Sequence, residues 1–211
     1  MTTTYYGDPA LKDDLLREAA EHEAADRYVR ATFFKSHGVG WRGCSVGCMT
    51  APRLAAEQGV AVRNLLEPIS WHAEESRLLG LPEWLVQVQD RIFEHAPGHE
   101  TWTRRFLTAV PAGVDFAVLG SVREEWLRDL LFDPERGSFP VAADALDRAG
   151  RDGSSLRLPR ETRFRTAAAY AAAYAAAYNA AANAAANAAA AWWGWAADRL
   201  LTRLAETEGA S

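Results

Sequence analysis

Pro82-Glu83-Trp84-Leu85-Val86-Gln87-Val88-Gln89-Asp90-Arg91-Ile92-Phe93-Glu94-His95-Ala96-Pro97 is the run that decides the fold class. Proline suits a first helical turn, because the amide it lacks would have no partner there. Leu85, Val88 and Ile92 follow at steps of three and four, with Phe93 beside them, so one face of a helix is apolar. Pro97 closes the run. The same grammar repeats on both sides of it. Upstream, Asp8 and Pro9 open a helix, and Leu11, Leu15, Ala19, His22, Asp26, Val29 and Phe33 continue one face as far as residue 34. A second helix is expected from Pro52 to about Leu66, capped by Thr50 and ended by Pro68. Ser70-Trp71-His72-Ala73-Glu74-Glu75 has the pattern of a capping box and starts a short helix that stops at Gly80. Downstream, residues 99–109 and 121–132 are helical, with turns at Pro111–Asp115 and Asp133–Gly137. Phe139–Val141 is the one short strand expected, followed by a helical turn at Asp144–Ala149. Strand signals are otherwise scarce, so the fold is expected to be mainly α. It reads as a single irregular helical domain outside the standard superfolds.

The last third is compositionally odd. From Thr166 to Ala191 the chain is almost entirely Ala, Tyr and Asn, with Tyr170, Tyr174 and Tyr178 four residues apart, as are Asn179, Asn183 and Asn187. Alanine is the strongest helix former, so this is a helix. Unbroken from Pro159 to Glu206 it would span roughly 70 Å, against about 40–45 Å for a domain of this size. Gly194, within Trp192-Trp193-Gly194-Trp195, is the expected break. The organisation expected is a helical domain over residues 1–158 and an Ala-rich helical segment over 159–211, packed on it or on a partner. The asparagines argue against membrane insertion.

Bulk properties exclude some functions. The chain has 211 residues, 49% of them hydrophobic, and a net charge of −5. Lys12 and Lys35 are its only lysines, and it has no basic block, so nonspecific nucleic-acid binding is not expected. The opening Met-Thr-Thr-Thr-Tyr-Tyr-Gly-Asp has neither the basic nor the apolar region of a secretory signal. With only two cysteines, a cytoplasmic setting is expected. Abundant Ala and Arg fit a GC-rich bacterial genome.

The densest chemistry lies in Lys35-Ser36-His37-Gly38-Val39-Gly40-Trp41-Arg42-Gly43-Cys44-Ser45-Val46-Gly47-Cys48. Four glycines in ten residues disfavour a helix and favour a loop that lets backbone amides and a thiol approach a ligand. Three readings of Cys44 and Cys48 stay open. They are small buried hydrophobes, or they include a nucleophile activated by His37, Arg42 or Lys35, or they bind zinc with His37 or His72. C-x3-C spacing is a poor match to zinc, so no metal and no cofactor are expected. His72 and Glu75 share a helical face and suit a base with its orienter, or a solvated helix start. Asp90, Arg91 and Glu94 read as a surface ion-pair ladder, or as an Arg91 fork for an anion beside Glu94. The candidate catalytic residues are therefore Cys44, Cys48, His37, His72 and Glu75. Lys35, Arg42, Trp71, Arg91 and Glu94 are the candidate substrate ligands.

Three stretches carry a resemblance: Gly43-Cys44-Ser45-Val46-Gly47-Cys48; Leu79-Gly80-Leu81-Pro82-Glu83-Trp84-Leu85 with Gln89-Asp90-Arg91-Ile92-Phe93-Glu94; and Arg105-Phe106-Leu107-Thr108-Ala109-Val110-Pro111-Ala112-Gly113-Val114-Asp115. With the Ala-rich tail, they resemble an uncharacterised family of small bacterial and phage proteins over about two thirds of the chain. The Ala51–Ser70 segment departs from that family. The resemblance implies that the three stretches form one site, and it brings no named activity. The chain has no G-x-G-x-x-G, no P-loop and no strong metal motif. The expected function is a cofactor-independent enzyme or enzyme subunit acting on a small polar metabolite. Intramolecular cyclisation or elimination, such as the aziridine formation of azinomycin-type pathways, fits chemistry driven by positioning. The alternative is a noncatalytic interaction subunit that docks another protein subunit through the Ala-rich helix and Trp192, Trp193 and Trp195.

Overall fold

The computed structural model describes residues 2–37, 40–138 and 186–209. The strand expected at Phe139–Val141, the turn at Asp144–Ala149 and the Tyr/Asn repeat up to Ala185 lie outside the described residues. The fold is mainly α. In chain order come α1 (Pro9–Ala24), a hairpin of β1 (Lys35–His37) and β2 (Gly40–Arg42), α2 (Ser45–Gln58), α3 (Trp71–Leu79), α4 (Glu83–His95), α5 (His99–Ala109), α6 (Phe116–Phe132) and α7 (Ala186–Ala205). No described helix is long and apolar enough to cross a membrane.

Helix α4 is the hub. Leu85, Val86, Ile92 and Phe93 are fully buried on it, and it contacts α2, α3, α5 and α7. Burying a Leu, Ile or Phe side chain stabilises by about 1.5–3 kcal/mol, so this one helix organises much of the core. Gln89 and Asp90 are buried on it too. Helix α3 starts as expected, with the Ser70 hydroxyl accepting from the Ala73 amide, and ends at Gly80 in the left-handed region. Gly80 lies so close beneath the N-terminal segment that a Cβ there would sit 2.8 Å from the Tyr6 nitrogen.

Several boundaries differ from the sequence expectation, among them the end of α2 at Gln58 rather than about Leu66 and the start of α6 at Phe116 rather than residue 121. Helix α1 stops at Ala24 rather than residue 34. Asp26 and Ala31 take positive φ of 49° and 62°, and the chain between them bonds elsewhere. Val29 donates to the Gly43 carbonyl, Gly43 to the Arg27 carbonyl and Cys44 to the Thr32 carbonyl. Pairing with the start of α2 thus overrides the helical periodicity of residues 25–34. His22 stays on the buried face, whereas Asp26 leaves it and pairs with Arg42 at 2.9 Å. Helix α2 begins at Ser45 rather than Pro52 and carries Pro52 inside it, with Cys44 at its N-cap. Part of the expected glycine loop is therefore helix. Gly194 is not a break. Helix α7 runs through it, and Gly194 faces Pro97, whose ring would lie 3.4 Å from an added Cβ.

The described part of the C-terminal segment packs on the rest of the chain. Trp193, Ala196, Ala197, Leu200 and Leu204 of α7 are buried, against α4, α5 and α6. The Trp126 indole N–H of α6 donates to the Ala196 carbonyl at 2.9 Å. Trp193 stacks on His95 with centroids 5.2 Å apart, and Trp192 donates to the Arg136 carbonyl. Trp193 is buried within the chain, and Trp192 and Trp195 are half-buried.

Candidate functional site

The N-cap of α2, the first turn of α3 and the second half of α4 meet at one buried polar cluster. Cys44 contributes its thiol, α3 contributes His72 and Glu75, and α4 contributes Gln89, Asp90 and Glu94. The ligand atoms of Cys44, Asp90 and Glu94 lie within 4.8 Å of one another. His72 Nε2 is 2.9 Å from Asp90 Oδ2. Asp90 Oδ1 is buried with no hydrogen-bond partner. Glu94 Oε2 accepts from the Ala31 amide at 2.8 Å, at the residue where the loop takes a positive φ. Arg30 anchors the same loop by donating to the Phe93 and Ala96 carbonyls at the end of α4.

An aromatic wall borders the cluster. Phe33 stacks on Trp71, its centroid 6.0 Å away, and meets the His72 ring edge-on at 5.3 Å. Phe34 stacks on Trp71 as well. Behind the cluster runs a polar chain. Thr103 Oγ1 donates to Ser45 Oγ at 2.9 Å, Ser45 donates to Gln89 Oε1 at 2.6 Å, and Gln89 Nε2 faces both oxygens of Glu75 at 3.4 Å. The Gln89 carbonyl is taken by the Trp102 indole N–H. Buried side-chain amides need such partners, because an unmet one costs about 1–3 kcal/mol.

Electrostatically the cluster is rich in acids. Burial pushes the Cys44 thiol well up, and the Asp90 charge pushes the same way; the Gly47 amide, in the first turn of α2, opposes them. Glu75 is held well above the usual carboxylate range, first by burial and then by Asp90. Glu94 is raised by burial, against the pull of the Ala31 amide and of Arg30 and Arg91. Buried carboxyls with raised affinity for protons mark a place that favours added positive charge.

The structure sorts the residues expected from sequence. Cys44, His72 and Glu94 come together, with Trp71 in the wall. Glu75 is near but does not orient His72, because it faces Gln89 while Asp90 takes the imidazole. Cys48 is turned away. Its thiol donates to the Gly43 carbonyl at 3.4 Å and approaches the Arg27 carbonyl, and burial pushes it up to about 12. Arg42 is bound to Asp26, and Lys35 is exposed on β1. The side chain of His37 lies outside the described residues. Arg91 is exposed on α4 and is not the buried anion fork. The buried member of that helix segment is Asp90. His22, edge-on to Tyr28 and Trp41, is a core histidine. An open cleft of about 530 Å³ between α5 and α7, lined by Arg104, Arg105 and Glu208 among others, holds none of the candidate residues.

Sequence reasoning passed over Asp90, Gln89 and Ser45 as site residues. One signal was readable for Asp90: it stands four residues after Val86 and four before Glu94, which places it on the edge of the inward face of α4. Comparison with protein-family models, with curated proteins and with solved structures finds no match for this chain.

Proposed function

We propose that the chain is an enzyme, or the catalytic subunit of one, that acts on a small polar metabolite by proton transfer at the His72–Asp90 pair. The observation that carries this reading is the 2.9 Å contact between His72 Nε2 and Asp90 Oδ2, in which Asp90 is buried while the His72 side chain remains 26% exposed. A carboxylate bonded to one ring nitrogen fixes the tautomer and orientation of the imidazole, which leaves Nδ1 as the proton acceptor. The imidazole then joins the surface to an interior lined by Cys44 and Glu94. Glu75, which burial shifts toward its protonated form, packs behind the pair against Gln89. The reaction classes that fit are proton abstraction, elimination and intramolecular cyclisation, including aziridine formation in bacterial specialised metabolism. A proton moved by a histidine–carboxylate pair needs no bound cofactor for that step. The alternative, a noncatalytic subunit docked through the Ala-rich helix and the tryptophan cluster, keeps the half-buried Trp192 and Trp195 as its surface, while Trp193 is buried within the chain.

The test is turnover of a panel of small amino and hydroxy metabolites carrying a leaving group, followed by NMR in deuterated water. Wild type is expected to give product or solvent-deuterium incorporation. His72→Gln and Asp90→Asn are expected to lower the rate on the order of 10²–10⁴-fold, with melting temperature preserved. A substrate turned over equally well by both variants would refute the assignment.

A further inference from the structure

The three donors Cys44, Asp90 and Glu94 come from two helices and converge to within 4.8 Å of one another. Each carboxylate already has one oxygen held in place. His72 Nε2 holds Asp90 Oδ2, and the Ala31 amide holds Glu94 Oε2. The oxygens these bonds leave over are Asp90 Oδ1 and Glu94 Oε1. Asp90 is only 8% exposed, its Oδ1 has no partner at full hydrogen-bond geometry, and besides His72 the Cys44 thiol is the donor that leans on its carboxylate. A thiol is a weak donor, and a poorly satisfied buried carboxylate oxygen is costly, more so than a neutral group. The nearby cations do not answer it. Arg30 is committed to the Phe93 and Ala96 carbonyls, and the Arg91 side chain lies at the surface.

This is how a metal site is built. Ligating carboxylates are themselves hydrogen-bonded, and those outer partners aim the free oxygen. The donor set also selects the ion. A thiolate with two carboxylates suits a borderline divalent cation such as Zn²⁺ rather than the hard Mg²⁺ or Ca²⁺, which take oxygen alone. Cys44 is the N-cap residue of α2, which places its thiol beside the two carboxylates.

We infer that Cys44 Sγ, Asp90 Oδ1 and Glu94 Oε1 bind one zinc-class divalent cation, with a fourth position open to water or substrate. Binding releases the Cys44 proton to solvent. Three protein ligands and an open position are the pattern of catalytic rather than structural zinc. The site adjoins the proposed proton-transfer pair but does not depend on it, because the ion uses Asp90 Oδ1 and the imidazole uses Oδ2. The C-x3-C spacing does not announce it, since Cys48 takes no part and the other two ligands stand four residues apart on α4.

The test uses the full-length protein, stripped with a chelator and desalted, with Co²⁺ and Zn²⁺ as the only probes. Wild type is expected to bind one equivalent of Co²⁺ with a thiolate-to-cobalt charge-transfer band, displaced by Zn²⁺. Cys44→Ser should lose that band while Cys48→Ser keeps it. Asp90→Asn and Glu94→Gln should each weaken Zn²⁺ binding at least about tenfold, and His72→Gln, which removes only an outer partner, about 10–100-fold while keeping one equivalent. Should Cys44→Ser fail to fold, the Glu94→Gln spectrum and affinity decide. Folded wild type with no cobalt band overturns the inference, as does a band lost in Cys48→Ser, or Zn²⁺ affinity unchanged in both carboxylate variants. Protection by propylammonium without metal binding also overturns it, and assigns the trio to an organic cation. Loss of turnover in His72→Gln with metal intact, or the converse, separates the fate of the proton-transfer reading from that of the metal.

Discussion

Gly47 sits inside α2 with no room for a side chain. A Cβ there would lie 1.3 Å from the Phe33 carbonyl oxygen, and one at Gly43 2.2 Å from the same atom. The two glycines let the first turn of α2 press against the backbone of residue 33, which is what brings Phe33 over His72 and Cys44 to the edge of the cluster. Gly47→Ala must push backbone against backbone, which side-chain rotation cannot relieve. It is expected to destabilise by more than about 3 kcal/mol, read as a fall in the denaturant midpoint. The sequence showed that something must come close to these glycines. It could not show that the close neighbour is the chain's own carbonyl rather than a ligand. The same limit applies to Asp90. Its spacing with Glu94 was legible, but its pairing with His72 depends on α3 and α4 lying side by side.

At the level of elements, helices were legible wherever an apolar face is bought by burial against other helices, as in α3, α4 and α5. The reading failed where a segment finds backbone partners far away. Residues 25–34 keep helical spacing, yet their amides and carbonyls serve Gly43 and Cys44. It failed again at Gly194, where local propensity argued for a break and packing on Pro97 keeps the helix whole. Two substitutions test α7. Gly194→Ala removes the flexibility of a mid-helix glycine, worth up to about 1 kcal/mol, and places a methyl group at the edge of contact with Pro97. A slightly higher melting temperature is expected; a lower one would mean that α7 bends there. Trp193→Ala empties the contact with His95, and a loss of about 3–5 kcal/mol is expected for a buried tryptophan. A near-neutral result in thermal unfolding would show that α7 is not part of the cooperative core.

For the whole molecule, composition and periodicity were enough to place the chain among α proteins. They were not enough to say which polar side chains the helices would enclose, and those enclosed groups set how stability responds to pH. Two of them act in opposite senses. His22 is 4% exposed, and burial lowers it to about 4, with Arg27 and Arg53 adding to the effect. The unfolded chain therefore takes up a proton at His22 below about pH 6.5, while the folded protein resists until about 4. Stability from this residue is complete above the unfolded value and is lost as pH falls through that window, by on the order of 3 kcal/mol. Glu75 is raised instead, chiefly by burial. Its folded form keeps a proton that the unfolded chain has released, so its contribution is complete in acid and is lost as pH rises above the ordinary carboxylate range. Single variants separate the two. Relative to wild type, His22→Leu should gain stability as pH is lowered from 7 to 4.5, because the variant no longer has a buried base that resists its proton. Glu75→Gln should gain in the other direction, from pH 5 to 8, because an amide keeps the hydrogen bonds without a proton to lose. Urea unfolding at several pH values checks both. If the His22→Leu difference stays flat across that range, His22 is reached by water in the folded protein, and the packing of Tyr28 and Trp41 around it is looser than the structure requires.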